Sequence, residues 1–283
     1  MSVLTPGICS VTLRNSSIED VVGVVSAARL AGIEWSSQAH VPDAAAALRA
    51  KQATAAAGLK VLSLGSYYRV GSRGDFGAVA ALASALGAPR IRVWAGESAS
   101  LDASSQVWDA VVADAQRISG LATAYGLEIA FEYHGGTLTD SAETTLELLV
   151  RVGRPNVGTY WQPAVGLTDE QAVDSLRQVL DHVVGIHCFS WWPGRERLPL
   201  ADRRQLWSSV AEILRDRGGS TDLMLEFVEA DLPENVIRDS EFLTRIALGA
   251  EQETASALPG AELQVLQEPP QRRVGHLAFP DGM

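Results

Sequence analysis

The sequence has little of what would place it in several large classes of protein. It contains only two cysteines in 283 residues, Cys9 and Cys188, and both fall within predicted strands. Because small disulfide-dependent folds are rich in cysteine, we predict two buried, reduced thiols here. No run of about 18 apolar residues occurs, and no basic segment followed by an apolar one opens the chain, which indicates neither membrane insertion nor export. We therefore expect a soluble, cytoplasmic protein.

Positive charge is also scarce. The 23 lysines and arginines are outnumbered by 34 aspartates and glutamates, which gives a formal net charge of -11. A protein that binds nucleic acid needs a concentrated basic face, and no basic stripe is present, so we predict no nucleic-acid partner. The chain also lacks a glycine-rich loop that could bind phosphate through backbone N–H groups, so support for a phosphorylated substrate is weak.

Strand-like and helix-like segments alternate along most of the chain. Short β-branched runs are separated by alanine- and leucine-rich stretches with helical spacing of apolar residues, as in the segment between Ser17, a predicted helix cap, and Gly32, a predicted helix end. With 47% hydrophobic residues the chain can bury a large core. The predicted strands cover residues 8–13, 33–35, 60–66, 90–95, 127–133, 157–161, 183–189 and 222–228.

Eight strand–helix units predict an α/β protein, specifically a (β/α)8 TIM barrel, a fold that typically takes about 250 residues. We assign the barrel to residues 1–248 as a single domain. Residues 249–283 lose helical periodicity and gain proline, glutamine and glycine. Their composition suits a disordered C-terminal tail, and equally one that packs on the barrel or on a neighbouring subunit.

Ligand-type side chains close four consecutive predicted strands. In a parallel barrel the carboxyl ends of the strands meet at one face, so these side chains should lie close together. Two carboxylates, an imidazole and an amide oxygen suit a divalent cation. The alternative is that the carboxylates pair with arginines and the histidine is an ordinary core residue. The four residues are Glu132, Gln162, His187 and Glu226.

Aromatic and basic residues also follow the predicted strands. Aromatic faces can cover the C–H patches of a sugar, although the same residues could simply pack between loops. Arginines could bind hydroxyls, a carboxylate or a phosphate, or form surface ion pairs. We predict a carbohydrate pocket whose binding residues are Arg14, Trp35, His40, Tyr68, Trp94, His134, Trp161, Trp191 and Arg195.

The stretches "EYHGGTLTD", "YWQP", "IHCFSW" and "LEFV" resemble the xylose isomerase-like TIM barrel superfamily, in particular its sugar phosphate isomerase/epimerase branch. The likeness covers about residues 6–247. It implies a metal held by Glu132, His187 and Glu226, with Gln162 standing where the family usually has aspartate. We expect Mn²⁺ first, with Mg²⁺, Co²⁺ or Zn²⁺ as alternatives. Members often form dimers or tetramers, so a homo-oligomer is an expectation too.

The glutamine leaves two alternatives open. As a ligand, Gln162 would contribute a neutral oxygen, so the site would bind its cation less tightly and leave it a stronger Lewis acid. Otherwise Gln162 would contact a sugar hydroxyl and leave a three-ligand set of Glu132, His187 and Glu226.

The resemblance implies proton transfer through an enediolate, with Glu132 and Glu226 as the catalytic acid and base. A sugar isomerase or epimerase acting on a ketose is the first hypothesis. The second is a metal-dependent lyase or dehydratase on a keto-sugar or keto-inositol, for which His134 or His40 would supply a strong acid. The third is an inactive carbohydrate-binding barrel, which the change at Gln162 favours. We do not expect an endonuclease of the superfamily. Such enzymes need a larger cluster of metal ligands and a DNA-binding surface, whereas this chain is acidic and has five histidines in all.

Overall fold

Eight parallel barrel strands and eight α-helices occur in residues 2–72 and 74–249, the part of the chain that the computed structural model describes. The predicted (β/α)8 fold is confirmed. The strands are β1 Val3–Cys9, β2 Gly32–Ser36, β3 Lys60–Arg69, β4 Arg90–Trp94, β5 Glu128–Glu132, β6 Val157–Trp161, β7 Val183–Cys188 and β10 Ser220–Leu225, with β8 Ser190–Trp191 and β9 Arg197–Leu198 forming a small antiparallel hairpin. The helices are α1 Ile18–Ala27, α2 Ala44–Ala56, α3 Phe76–Leu86, α4 Ser105–Ala124, α5 Ala142–Val152, α6 Asp169–Val179, α7 Arg204–Arg217 and α8 Pro233–Leu248.

The barrel closes in the order β1, β10, β7, β6, β5, β4, β3, β2, and every neighbouring pair is parallel. The hairpin of β8 and β9 belongs to the loop between β7 and α7, so it lies outside the barrel order. Because all eight barrel strands run in one direction, their carboxyl ends and the loops that follow them form one face.

Helix starts follow the capping chemistry of the sequence. Ser17 caps α1 as predicted, since its hydroxyl accepts a hydrogen bond from the backbone N–H of Asp20. The predicted end of α1 at Gly32 is wrong, because the helix stops at Ala27 and Gly32 already belongs to β2. Thr168 and Gln171 form a reciprocal capping box at the start of α6.

The first strand is displaced from its predicted position. The sequence indicated residues 8–13, whereas β1 ends at Cys9 and Ser10–Leu13 form a 3-10 helix. Pro6 lies within β1, and its carbonyl accepts a hydrogen bond from the N–H of Ala31. At Gly7 a Cβ would lie 2.4 Å from Leu62 and 2.9 Å from the Gly32 carbonyl, so a glycine is needed inside the barrel.

Side chains that point along the barrel axis form layers. Arg90 and Asp222 pair at the amino ends of the strands, and Leu62, Tyr160 and Met224 pack above them. The buried charges of the upper layer follow at the carboxyl ends. Alternation directs every second side chain of a strand into the barrel. Successive inward side chains then form an apolar layer with a polar layer above it, at the carboxyl ends of the strands.

None of the helices in the described ranges is long and apolar enough to cross a membrane. Both cysteines are free and buried, as predicted. The predicted tail falls outside the described residues, and the division of the chain at residue 248 stays a prediction.

Gly185 should be intolerant of a side chain. Its Cβ would lie 2.3 Å from the ring of Tyr160, which is fully buried and cannot turn away. We expect Gly185→Ala to lower the free energy of unfolding in urea by about 1–3 kcal/mol or more. Gly23→Ala on α1, where a Cβ meets nothing within 4 Å, is the control and should raise it by about 0.5–1 kcal/mol. Equal effects of the two changes would contradict this account of the barrel interior.

Candidate metal and substrate site

The four predicted ligand residues come together at the carboxyl face of the barrel. Glu132 ends β5, Gln162 follows β6, His187 lies near the end of β7, and Glu226 follows β10. All four side chains are buried, and their exposed fractions are 4%, 9%, 0% and 5%. Alternation along each strand turns them toward the barrel axis, so residues far apart in sequence share one small volume.

The donor atoms of this group face one another. Nδ1 of His187 lies 2.9 Å from Oε1 of Gln162 and 3.3 Å from Oε2 of Glu226. Ligand atoms of Glu132, His187 and Glu226 all lie within 4.8 Å of one another. Two carboxylates and an imidazole are donors that suit a divalent cation, and the amide oxygen of Gln162 adds a fourth. The residues present therefore fit the ion that the fold family implies.

The protonation of these groups follows from their burial and charge. Burial alone would lower the pKa of His187, yet the ionised carboxylate of Glu226 raises it above the usual range. Burial favours the neutral acid of Glu226, but the charges of His187 and Arg92 lower its pKa. Without an ion, a protonated imidazole therefore faces an ionised carboxylate, and a cation that binds here displaces a proton from His187.

A second cluster of potential donors lies beneath the first. Ligand atoms of Cys9, Glu34 and His187 also lie within 4.8 Å of one another. A thiol binds metal as thiolate, and burial raises the pKa of Cys9 so far that it stays protonated. The hydroxyl of Ser63 and the guanidinium of Arg92 already donate to Glu34. We therefore place the candidate ion with Glu132, His187 and Glu226.

Two side chains of β4 donate hydrogen bonds to the carboxylate of Glu132. Nη1 of Arg92 and Nε1 of Trp94 both donate to its Oε2. The indole of Trp94 in turn stacks on the imidazole of His134, with ring centroids 4.8 Å apart and planes inclined by 19°. Trp94 thus joins a predicted ligand to a predicted substrate-binding residue.

A cavity of about 430 Å³ opens above the four candidate ligands. Its lining includes Glu132, Gln162 and Glu226 from the ligand set, together with His134, Trp191 and Arg195 from the predicted substrate-binding set. A volume of this size suits a small polar molecule. The structure thus brings these six predicted residues to one cavity, and their roles in binding stay predictions.

Arg14 supports the cavity wall from behind. Its guanidinium lies 5.1 Å from the ring centroid of Phe227, a residue that lines the cavity. Arg14 also pairs with Asp231 at 2.9 Å, and Arg197 pairs with the same carboxylate. Phe227 has a positive φ of 51°, and its N–H donates to Thr12 Oγ1 at 3.0 Å. The loop after β10 is therefore tied down where it presents this ring.

Two predicted pocket tryptophans face the helices. Trp35 and Trp161 are fully buried, and their indole N–H groups donate to Thr54 on α2 and Ser175 on α6. Each follows an axis-facing residue, Glu34 in the case of Trp35, so alternation turns the next side chain outward. The expected position of these two rings in the pocket is therefore corrected.

His40 and Tyr68 also lie away from the cavity lining. The ring nitrogens of His40 lie 3.0 Å from Ser10 Oγ and 3.2 Å from the Leu13 carbonyl, and burial lowers its pKa. The hydroxyl of Tyr68 donates to Asp114 on α4 at 3.0 Å, and burial together with that carboxylate raises its pKa to about 12. Both side chains are held by these contacts, and neither lies in the cavity lining where it was expected.

Other residues at the site were missed or misjudged from sequence. Phe189 and Phe227 line the cavity but looked like ordinary core residues. Glu34 and Arg92 lie inside the barrel, with 1% and 3% of their surfaces exposed, and neither was among the predicted site residues. A charged residue within an apolar strand, as Glu34 is in "GIEW", was the signal available, because such burial requires a partner.

The fold and the donor set together define a (β/α)8 barrel with a candidate divalent-metal site at the carboxyl ends of its strands. The chain belongs to the xylose isomerase-like TIM barrel family, whose sequence model matches residues 24–246. This membership confirms the resemblance seen in the sequence. No curated protein matches the chain at a significant level.

Solved structures share the fold at low sequence identity. The probable 3-DHS dehydratase AsbF of Bacillus anthracis has a TM-score of 0.69 and 20% identity, over 86% of this chain and 99% of that one. D-Psicose 3-epimerase of Clostridium cellulolyticum H10 has a TM-score of 0.62 and 15% identity, over 89% and 98%. The IolI protein, with a bound zinc atom, has a TM-score of 0.67 and 16% identity, over 87% and 98%.

Elemental analysis checks the candidate ion. We expect the purified protein to carry about one divalent ion per chain, because the buried donors of Glu132, His187 and Glu226 match such an ion. His187→Ala should lose it, whereas His182→Ala, which changes a histidine outside the cluster, should retain it. The absence of an ion from the wild type even after soaking with Mn²⁺ would contradict the assignment.

Replacing the unusual amide tests whether Gln162 ligates the ion. We expect Gln162→Asp to bind Mn²⁺ about tenfold more tightly in a calorimetric titration, since affinity rises with the charge of the ligand set. Gln178→Glu adds the same charge on the exposed face of α6 and should leave the affinity unchanged. An unchanged affinity in Gln162→Asp would mean that residue 162 faces the substrate alone.

Proposed function

We propose that this protein is a divalent-metal-dependent sugar isomerase or epimerase that acts on a ketose or a related sugar. The observation that carries the proposal is the convergence of Glu132 and Glu226 with His187 beneath a cavity lined by both polar and aromatic side chains. When bound, a divalent ion such as Mn²⁺ would polarise the substrate carbonyl and acidify the neighbouring C–H. Glu132, His187 and Glu226 would hold it, with Gln162 as a fourth ligand.

The two glutamates are the groups that would move the proton. They come from β5 and from the end of β10, which lie on different sides of the closed barrel. In the metal-free site the charges of His187 and Arg92 lower the pKa of Glu226, and a bound cation would likewise keep this carboxylate ionised, so it could accept a proton. Glu132 is oriented by Arg92 and Trp94, so its carboxylate has a fixed position relative to a bound substrate. An enediolate formed by one glutamate could be reprotonated by the other.

The cavity walls suit a carbohydrate. The rings of Phe189 and Trp191 lie 4.7 Å apart, and those of Trp191 and Phe227 lie 6.0 Å apart, which gives one side an aromatic surface. Nε1 of Trp191 is buried and has no hydrogen-bond partner among the described residues. The faces of these rings could cover the C–H patches of a sugar.

Hydrogen exchange tests the proposed chemistry. We expect the protein, loaded with Mn²⁺ in D2O, to incorporate deuterium next to the carbonyl of a ketose substrate, detectable by NMR or mass spectrometry. Glu132→Gln and Glu226→Gln should each lower the rate at least about a hundredfold, since each removes a proton-transfer group. Glu128→Gln, at the opposite end of β5, is the matched control. A fully active variant at Glu132 or Glu226 would contradict the assigned roles.

A lyase or dehydratase is the second candidate, and the geometry of His134 favours it. Nδ1 of His134 lies 2.7 Å from the carbonyl of Gly135, so Nδ1 carries a proton and Nε2 is the nitrogen that can exchange one. This imidazole lines the cavity beside Glu132, and in its protonated form it could donate the Nε2 proton to a leaving group. Product analysis separates the candidates, because a new stereoisomer indicates epimerisation and loss of a β-substituent indicates elimination.

A further inference from the structure

Glu34 and Arg92 form a buried ion pair directly beneath the candidate ligands. Glu34 lies on β2 and Arg92 on β4, and both side chains point along the barrel axis. Nε of Arg92 donates to Oε1 of Glu34 at 3.0 Å, and the hydroxyl of Ser63 donates to Oε2 at 2.6 Å. Both oxygens of Glu34 are therefore fixed by donors from other strands.

The pair reaches two of the candidate ligands. The same guanidinium that binds Glu34 through Nε donates to Glu132 through Nη1. Oε1 of Glu34 also lies 3.8 Å from Nε2 of His187, a buried nitrogen without a hydrogen-bond partner among the described residues. A proton on Nε2 faces this carboxylate favourably, and Nδ1 then remains the nitrogen directed at Gln162 and the ion.

Gly65 on β3 leaves room for the side chains of Glu34 and Arg92. A Cβ on Gly65 would lie 2.7 Å from Oε1 of Glu34 and 2.9 Å from Nη2 of Arg92. Any larger residue on that part of β3 would displace both charged groups. The room for the pair is therefore set by a third strand.

A buried ion pair is weak as a source of stability. Removing the charges from water costs several kcal/mol per ion, and an apolar pair of similar volume is often at least as stable. The contacts of Glu34 and Arg92 instead lead to groups that would bind the ion and move a proton. Partners behind metal ligands commonly set the orientation of those ligands.

We infer that Glu34 and Arg92 are positioning residues of the candidate metal site, with Arg92 fixing the carboxylate of Glu132 and Glu34 fixing both Arg92 and the orientation of His187. The inference rests on the proposed function for the nature of the ligand. It assigns no contact with the substrate to either residue, because both are buried.

The chain contains a matched control for this pair at the other end of the barrel. Arg90 lies two residues before Arg92 on the same strand and also points along the axis. It pairs with Glu128 at 3.1 Å and with Asp222 at 3.3 Å. Arg90 and Arg92 thus share strand, orientation and two carboxylate partners, but only Arg92 reaches the candidate ligands.

The experiment compares Arg92→Lys and Glu34→Gln with Arg90→Lys and Asp222→Asn. Metal-free protein is titrated with Mn²⁺ by calorimetry, and unfolding of the metal-free variants in urea is measured separately. Lysine keeps the charge but cannot bridge two carboxylates as a planar guanidinium does. We expect Arg92→Lys and Glu34→Gln to weaken Mn²⁺ binding at least about tenfold, and Arg90→Lys and Asp222→Asn to leave it within about twofold, whatever the stabilities.

The outcomes separate this inference from the proposed reaction. The positioning role would be overturned if Arg92→Lys and Glu34→Gln changed the Mn²⁺ affinity no more than Arg90→Lys and Asp222→Asn do. It would also be overturned if neither Arg92→Lys nor Glu34→Gln changed that affinity. If Arg92→Lys does not fold, Glu34→Gln decides the question by itself. A wild type that binds no Mn²⁺ overturns both proposals. Binding that shifts as expected in a protein that exchanges no substrate hydrogen overturns only the proposed reaction.

Discussion

The candidate metal site depends on the hydrogen bonds that the guanidinium of Arg92 makes to the carboxylates around it. Glu34, Glu132 and Glu226 are all buried, with 1%, 4% and 5% of their surfaces exposed. Carboxylates that lie close together repel one another strongly in a medium of low polarity. Arg92 reduces this repulsion because its guanidinium donates to both Glu34 and Glu132. His187 faces the third carboxylate, that of Glu226. A divalent ion would complete this charge balance and would take over from the proton on His187.

Small residues on the inner face of the barrel make these contacts possible. Gly65 leaves the volume that Glu34 and Arg92 occupy, and Gly185 leaves the volume of the Tyr160 ring in the apolar layer below. Each glycine is dictated by a side chain on another strand. Packing in the lower layers thus supports the fixed geometry of the polar groups above, which the proposed proton transfer requires.

Predictions from sequence were strongest where they rested on local pattern. Strand–helix alternation gave the correct fold, and the ends of four consecutive strands gave the residues that meet at the cavity. They failed where the direction of a side chain depended on the register of its strand. The displaced start of β1 put Arg14 behind the cavity wall, and alternation turned two tryptophans toward the helices. The predicted substrate-binding residues that lie outside the cavity lining are Arg14, Trp35, His40, Tyr68, Trp94 and Trp161.

The sequence by itself determined the class of fold, the family and the chemical nature of the donor set, because these follow from periodicity and from residue types at strand ends. Only the tertiary structure decided that Glu34 lies beneath His187 and that Arg92 joins Glu34 to Glu132. Glu34 and His187 are 153 positions apart in the sequence, Glu34 and Arg92 are 58 apart, and Arg92 and Glu132 are 40 apart. Their contact depends on closure of the barrel and on the stagger of its strands, which no local pattern encodes.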